Sequence, residues 1–459
     1  MKFIGRDEEL NRLNKLISSD KFNTSLIYGR RRIGKSELIK QVLKTNDKLS
    51  VYYECKNVSE SSNVESLADI LSEQLHLPKL GYKKIEDILK YIFELGKKEK
   101  IVIVLDEYPY LKEVAKGIDS IIQNLIDNYK DESKVTLILA GSYINIMKSL
   151  LEESNPLYGR IDLIIHLKQM DYYDSAEFYP NLSNEDKVKI FSVFGGVPYY
   201  NQLIDDSLSV KENIINLIAC ENSRLQNEVT MHLNNEIKKI TNANETFFAL
   251  SRGYCKYSDI LSQSHVSSGP TLMDILNKLI NMELVVKESP INDENNKKKT
   301  KYQISDNLSM FYYRYIFKYL SQLKIMDADT FYTKYIDSDF ENIYVPHQFE
   351  NIFKQYLIRL NKKGEIEPIF EKIGKYYYDD PINHLNGEFD VVTYDENGYI
   401  FYETKFRKSP ITDSMINEEI EQVKKTKLDC YKYGFVSKSG FNCKKNDKLI
   451  LIELDDLYK

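Results

Sequence analysis

The segment Gly29-Arg30-Arg31-Arg32-Ile33-Gly34-Lys35-Ser36 directly follows a short apolar run, Ser25-Leu26-Ile27-Tyr28. The pattern G-x-x-x-x-G-K-[ST] after such a run needs a buried strand, a tight loop and a helix in immediate succession, which leaves few folds open. The chemistry explains the spacing. The glycines let backbone N–H groups of Arg30, Arg31, Arg32 and Ile33 turn inward on phosphates, and the helix that follows presents its positive N-terminal end. Lys35 is placed to reach the β- and γ-phosphates, and the Ser36 hydroxyl to ligate Mg²⁺. About seventy residues on, Ile101-Val102-Ile103-Val104-Leu105 runs into Asp106-Glu107. An unbroken apolar run ending in two carboxylates reads as a fully buried parallel strand that delivers them to the nucleotide. Asp106 is expected to hold the Mg²⁺ through water, and Glu107 to polarise the attacking water. A chain with both features binds a nucleoside triphosphate.

At 459 residues there is room for about three domains. The net charge of −6 excludes a global basic field, so any nucleic-acid contact must come from local patches. The five cysteines, Cys55, Cys220, Cys255, Cys430 and Cys443, are scattered, with no C-x-x-C pair. That excludes a zinc ribbon and argues for a reducing compartment. With no apolar signal segment at Met1–Leu10 and no apolar run of membrane-spanning length, a cytoplasmic protein without membrane contact is expected.

Residues 1–165 alternate apolar runs with amphipathic stretches such as Ile118–Ile126, which argues an α/β core with a parallel sheet covered by helices. Helical signals dominate 166–240, as in a small lid. Residues 241–308 read as a winged helix: helices around Tyr257–Leu261 and Pro270–Ile280, then two strand-like segments, Leu284–Lys287 and Lys301–Ile304. An aromatic helical linker over 309–340 leads to a C-terminal domain at 341–459.

Three further stretches bear on the nucleotide. Val135–Ala140 is a second buried-strand run ending in Gly141-Ser142, so Ser142 is the candidate polar sensor of the γ-phosphate or attacking water; the alternative is an ordinary strand-end cap. Arg160, closing Pro156-Leu157-Tyr158-Gly159-Arg160, is placed either to stabilise charge on the transferring phosphoryl group or to pair on the surface. Gly195-Gly196-Val197-Pro198 is either a helix-breaking turn or a motif that lays Pro198 on the adenine. With Phe3-Ile4-Gly5-Arg6-Asp7-Glu8-Glu9-Leu10, these motifs occur in the order typical of the archaeal-type ATPase family, a branch related to the AAA+ and STAND ATPases, and the first 200 or so residues resemble it. The resemblance implies ATP over GTP, and a continuation into a winged helix and a C-terminal nuclease-like domain.

In that C-terminal region, Gly387–Tyr394 and Tyr399–Phe406 flank the turn signal Asp395-Glu396-Asn397-Gly398, which makes a β-hairpin. If all four turn residues form the loop, Asp390 falls opposite Glu403. If Asn397-Gly398 alone turn, Asp390 faces Lys405. Either way Asp390, Glu403 and Lys405 share one face, the D…E-x-K constellation of the restriction-endonuclease-like PD-(D/E)xK fold, in which two acids hold Mg²⁺ and the lysine positions water. Glu350, on the helix His347–Leu357, is the position matching a further metal-binding acid, and Gln422 an accessory polar residue. The plainer alternative is a solvated face whose charges pair with one another.

The second helix of the winged-helix segment, Thr271–Leu279, offers only Lys278 and Asp274, too little for base readout. Lys297-Lys298-Lys299 is placed either to meet phosphate or to lie in solvent. The expected function is thus a Mg²⁺-dependent ATP switch coupled to a nuclease-like module on DNA, contacted non-specifically or by structure. The alternative is a regulatory ATPase whose C-terminal domain binds without cleaving. ATP and Mg²⁺ are the expected cofactors, and a nucleotide-dependent homo-oligomer is the candidate assembly.

Overall fold

A computed structural model describes residues 3–76, 81–226, 228–229, 242–296, 298–380, 385–426 and 428–459. The chain divides into two units, Met1–Gln169 and Met170–Lys459. The first is built on strands β1 (Asn23–Tyr28), β2 (Leu49–Glu54), β3 (Ile101–Asp106), β4 (Val135–Gly141) and β5 (Leu163–His166), all parallel, in the order β2-β3-β4-β1-β5. The apolar runs account for the centre of this sheet. Ile101, Val102, Ile103, Val104 and Leu105 are each fully buried, as helices cover both faces of a parallel sheet. Each such side chain contributes about 1.5–3 kcal/mol by leaving water. The β1–β4 pairing sets Tyr28 beside Gly141, so the chain leaves β1, β3 and β4 at one edge, where the phosphate loop, the acid pair and Ser142 follow.

The second unit begins with helices, among them Asn184–Phe194 and Val210–Leu217. Helices Ala243–Ser251, Tyr257–Gln263 and Gly269–Asn281 then lead into an antiparallel hairpin, β6 (Val285–Glu288) and β7 (Lys301–Ile304). Of the wing lysines, Lys297 lies outside the described residues. An aromatic stretch, Asn307–Tyr344, includes π-helical turns at Tyr312–Ile316, Thr333–Asp337 and Phe340–Tyr344, and runs into the long helix Val345–Lys363.

The unit ends in a mixed sheet of β8 (Lys372–Asp380), β9 (Leu385–Asp395), β10 (Gly398–Lys405), β12 (Cys430–Ser437) and β14 (Leu449–Glu453). The short strands β11 (Ile411–Thr412) and β13 (Phe441–Asn442) pair with each other beside it. β8, β9 and β10 form an antiparallel meander, while β12 and β14 run parallel to β10 after the crossover helix Asp413–Lys425. Sequence patterning missed β8, whose run of tyrosines and charges does not alternate. No helix among the described residues is long and apolar enough to cross a membrane.

Candidate nucleotide site and C-terminal acid face

The phosphate loop spans the gap between β1 and the helix Lys35–Lys44. Gly34 has a φ of 92°, a left-handed conformation that an L side chain resists. Gly29 is required for a different reason: a Cβ there would lie 2.2 Å from the Leu167 carbonyl oxygen. Ile33 is buried beneath the loop and Arg30 within it, whereas Arg32 is exposed. Arg31 Nη2 donates to the hydroxyls of Tyr110 (2.8 Å) and Tyr143 (3.2 Å). Lys35 is buried, and its ammonium donates to the carbonyls of Gly29 (2.9 Å) and Arg30 (3.1 Å), which keeps it along the loop where phosphates would lie.

Asp106 is fully buried at the end of β3, so its charge must be met by donors. Oδ2 accepts from Ser36 Oγ at 2.6 Å and from the Tyr52 hydroxyl, and Oδ1 from the Glu107 amide at 2.9 Å. Burial first, and then the neighbouring Asp106, push the Tyr52 phenol far up, so it remains a donor. Ser36 and Asp106 together offer hard oxygens, the donor set suited to Mg²⁺, which takes one or two protein ligands besides phosphate and water. Glu107 sits in the left-handed region at φ 51°, a rare conformation for a residue with a side chain, and it opens the helix Tyr108–Val114. Its Oε2 accepts from Ser142 N (3.1 Å) and Ser142 Oγ (2.8 Å). The structure thus brings Lys35, Ser36, Asp106, Glu107 and Ser142 to one edge of the sheet. Tyr52 went unnoticed in the sequence because nothing in its local pattern marks it.

Arg160 is engaged elsewhere. Its guanidinium grips Asp127 through Nε (2.9 Å) and Nη2 (2.8 Å), and the hydrogen bond from Arg160 lowers the pKa of that carboxyl. In the second unit, Gly195 and Gly196 end the helix Asn184–Phe194, and Pro198 opens the short buried helix Pro198–Asn201.

At the C-terminal hairpin, Tyr394 pairs with Tyr399 and Val391 with Tyr402. Continuing this register by one residue sets Asp390 across from Glu403. The pairing is that of the four-residue-loop reading, although the turn itself is tighter because Asp395 also pairs with Gly398. Lysines accompany Glu388, Asp390 and Glu403. Lys375 on β8 bridges Asp390 (2.6 Å) and Glu388 (3.1 Å), Lys301 on β7 bonds Glu388 (2.6 Å), and Lys405 bridges Glu403 (2.6 Å) and Glu419 (2.9 Å). Burial pushes the Glu403 carboxyl up to about 7, an effect that Lys405 opposes and that Glu419 and Asp390 reinforce. For Glu388, burial raises the pKa, but Lys375 and Lys301 outweigh it and bring it below the usual range. Glu350 pairs with His347 at 3.1 Å, and Gln422 donates to the Tyr378 hydroxyl at 3.3 Å. Among the described residues, no group of three or more His, Cys, Asp or Glu side chains is arranged to hold a metal, so Glu350, Asp390 and Glu403 do not form a ready three-acid site. Lys375 and Glu419 escaped the sequence reading because each meets the hairpin from a separate position along the chain, and Glu388, on the hairpin itself, because its partners Lys301 and Lys375 come from other strands.

Residues 3–204 match an ATPase domain found predominantly in Archaea, and residues 312–423 match a family of archaeal and bacterial proteins of unknown function. An uncharacterized protein of Methanocaldococcus jannaschii is 30% identical over 463 residues, which cover 99% of each chain. An uncharacterized ATP-binding protein of the same organism is 24% identical, over 49% of this chain and 75% of its own. Among solved structures, a Walker-type ATPase of Pyrococcus abyssi superposes with a TM-score of 0.52 at 17% identity, over 68% of this chain and 96% of its own, a likeness of fold. The chain belongs to the same family as the M. jannaschii protein that it matches end to end, and carries an archaeal ATPase domain ahead of its C-terminal region.

Proposed function

We propose that this protein is a Mg²⁺-dependent, ATP-hydrolysing switch whose second unit carries a nuclease-like module acting on DNA. The ATPase half rests on one observation above the rest: Ser36 of the phosphate loop and Asp106 of β3 share a 2.6 Å hydrogen bond across 70 residues of sequence. Ser36 and Asp106 would hold the metal, which would supply neutralisation of the phosphate charge. Lys35 would balance the β- and γ-phosphate charge, and Glu107 would accept the proton of the attacking water. Glu107 Oε2 is held by Ser142 N and Oγ, which orients the carboxylate and leaves Oε1 to face the attacking water. Through that contact Ser142 would sense the nucleotide by way of Glu107. Arg160 would have to leave Asp127 to act on the phosphoryl group, in its own subunit or a neighbour. ATP turnover by the wild type, set against Lys35→Ala and Glu107→Gln, tests this half; equal turnover in all three sinks it.

The second half is supported by the shared face of Asp390, Glu403 and Lys405, and by the order helix, antiparallel meander, helix, parallel strand around them. The three helices and hairpin over residues 243–304 fit a winged helix. The lysines on the acids weigh against an active metal centre in the unliganded state, so cleavage would depend on their displacement. The test is Mg²⁺- or Mn²⁺-dependent cleavage of plasmid and branched DNA, with and without ATP, by wild type and Asp390→Ala. Cleavage lost in the variant supports the module. No cleavage by either under any condition leaves a regulatory ATPase with a non-cleaving C-terminal domain.

A further inference from the structure

A cavity of about 470 Å³ opens within the second unit between β7, the helix Val345–Lys363 and the rim of the C-terminal sheet. Its volume is that of a small-ligand pocket. Four cationic side chains line it, Lys301, Lys354, Lys375 and Arg314, against a single carboxylate, Glu388. The other carboxylates that pair with these cations, Glu288 for Lys354, Asp390 for Lys375 and Asp339 for Arg314, are not lining residues. The surface facing the cavity thus carries more ammonium and guanidinium groups than carboxylates, each already held by a carboxylate partner, and Gln348 and Asn351 add amide donors.

Residues 291–294, between β6 and β7, lie against β8 beside the cavity. Ile291 N donates to the Lys375 carbonyl at 2.8 Å. The Asn292 side chain both donates to the Tyr377 carbonyl (2.8 Å) and accepts from its amide (3.1 Å). Glu294 pairs with Lys372 at 2.7 Å. Gly374 is required here, since a Cβ would lie 2.9 Å from Ile291 Cγ2. The loop thereby covers the edge of β8, which would otherwise present unpaired backbone groups. It also pins the backbone of Lys375, whose side chain spans Glu388 and Asp390.

We propose that this cavity binds a phosphomonoester, as a free nucleotide or as the phosphorylated end of a nucleic-acid strand, with Lys301, Lys354 and Lys375 as its ligands. Lysines are point charges on flexible stems, so they can exchange a carboxylate for a phosphate that offers more charge and more acceptors. The exchange has a consequence at the hairpin. Asp390 and Glu388 lose their cation partners as the phosphate gains them, and the face they share with Glu403 becomes more negative and more receptive to a divalent cation. That consequence rests on reading the D…E-x-K face as a metal site; the anion site does not.

The test uses the full chain with Lys35→Ala, which silences the phosphate loop. The probes are thymidine 5′-monophosphate and a 3′-labelled hexathymidylate with a 5′-phosphate or a 5′-hydroxyl. At least one phosphorylated probe should bind, and removal of the 5′-phosphate should weaken the oligonucleotide about tenfold or more. Lys301→Met should weaken the bound probe about tenfold, Lys301→Arg should stay within about threefold, and Lys287→Met, exposed on β6 outside the cavity, should have no effect. Binding of the mononucleotide assigns the free ligand, and binding of the oligonucleotide alone assigns the strand end. No binding by any phosphorylated probe, or binding indifferent to Lys301→Met, overturns the site. Mn²⁺ titration separates the two claims: the bound phosphate should tighten Mn²⁺ binding, and Asp390→Ala should abolish that gain. Mn²⁺ affinity unmoved by both removes the metal reading and its coupling, while the anion site stands on its own data.

Discussion

Both units hold buried or half-buried carboxylates, and they partner them in opposite ways. In the first, Asp106 and Glu107 are met by neutral donors, the hydroxyls of Ser36, Tyr52 and Ser142 and two backbone amides. Such donors leave the negative charge in place, so a cation can join without first removing one. In the second unit, Glu388, Asp390 and Glu403 are met by lysine ammonium groups, which occupy the electrostatic role a metal would play. On the proposed reading, the first site could take a cation as it stands, whereas the second could take one only after its lysines move. Difference in partner type, more than in the acids themselves, separates a ready site from a conditional one.

The comparison breaks most decisively at Lys35. Lys35→Ala should weaken ATP binding about 1000-fold, as seen by titration with a fluorescent ATP analogue, because the loop loses the cation that balances the phosphates. Next is Glu107→Gln, expected to slow steady-state hydrolysis about 100-fold while ATP affinity stays within about threefold. A parallel loss of binding would mean that Glu107 supports the loop and is no base. On the other side, Lys375→Met removes the cation from two half-buried acids and should cost about 2 kcal/mol in urea unfolding. Millimolar Mg²⁺ or Mn²⁺ should restore part of that loss if those acids accept a metal. A smaller effect is expected from Tyr52→Phe. Asp106 keeps Ser36 and the Glu107 amide, so the Mg²⁺ needed for half-maximal hydrolysis should rise about fivefold, with turnover at saturating Mg²⁺ nearly unchanged.

The sequence was most readable where one short segment must supply an entire geometry. The phosphate loop needs its glycines and lysine at fixed spacing, and β3 must be apolar throughout to lie in the middle of a parallel sheet, so both could be placed from local pattern. The hairpin's turn signal likewise narrowed the register to two choices, and the Tyr394–Tyr399 pairing is one of them. The missing part is what comes from far away. Lys301 reaches Glu388 across 87 positions, and Asn292 reaches Tyr377 across 85, and no local periodicity encodes such meetings. Arg160 illustrates the same limit from within a motif: its spacing left a catalytic and a surface-paired reading open, and only the fold brings Asp127 against it.

The weakest of the expected effects probes the lysine-closed site through pH. Burial lifts the Glu403 carboxyl to about 7 from its usual 4.5, so the folded chain holds this proton more tightly than the unfolded chain does. The stability this provides is complete below about pH 4.5 and is lost as pH rises through 7. Glu403→Gln mimics the protonated form. It should therefore leave stability at pH 4.5 nearly unchanged and raise it at pH 8 by about 1 kcal/mol, well short of the full linkage value because the side chain is 27% exposed and Lys405 offsets its charge. Urea unfolding at the two pH values measures the difference. A variant that is destabilised at pH 8 would show that the ion pair with Lys405 outweighs burial, and the acid face would then be a stabilising salt-bridge cluster with no strain for a metal to relieve.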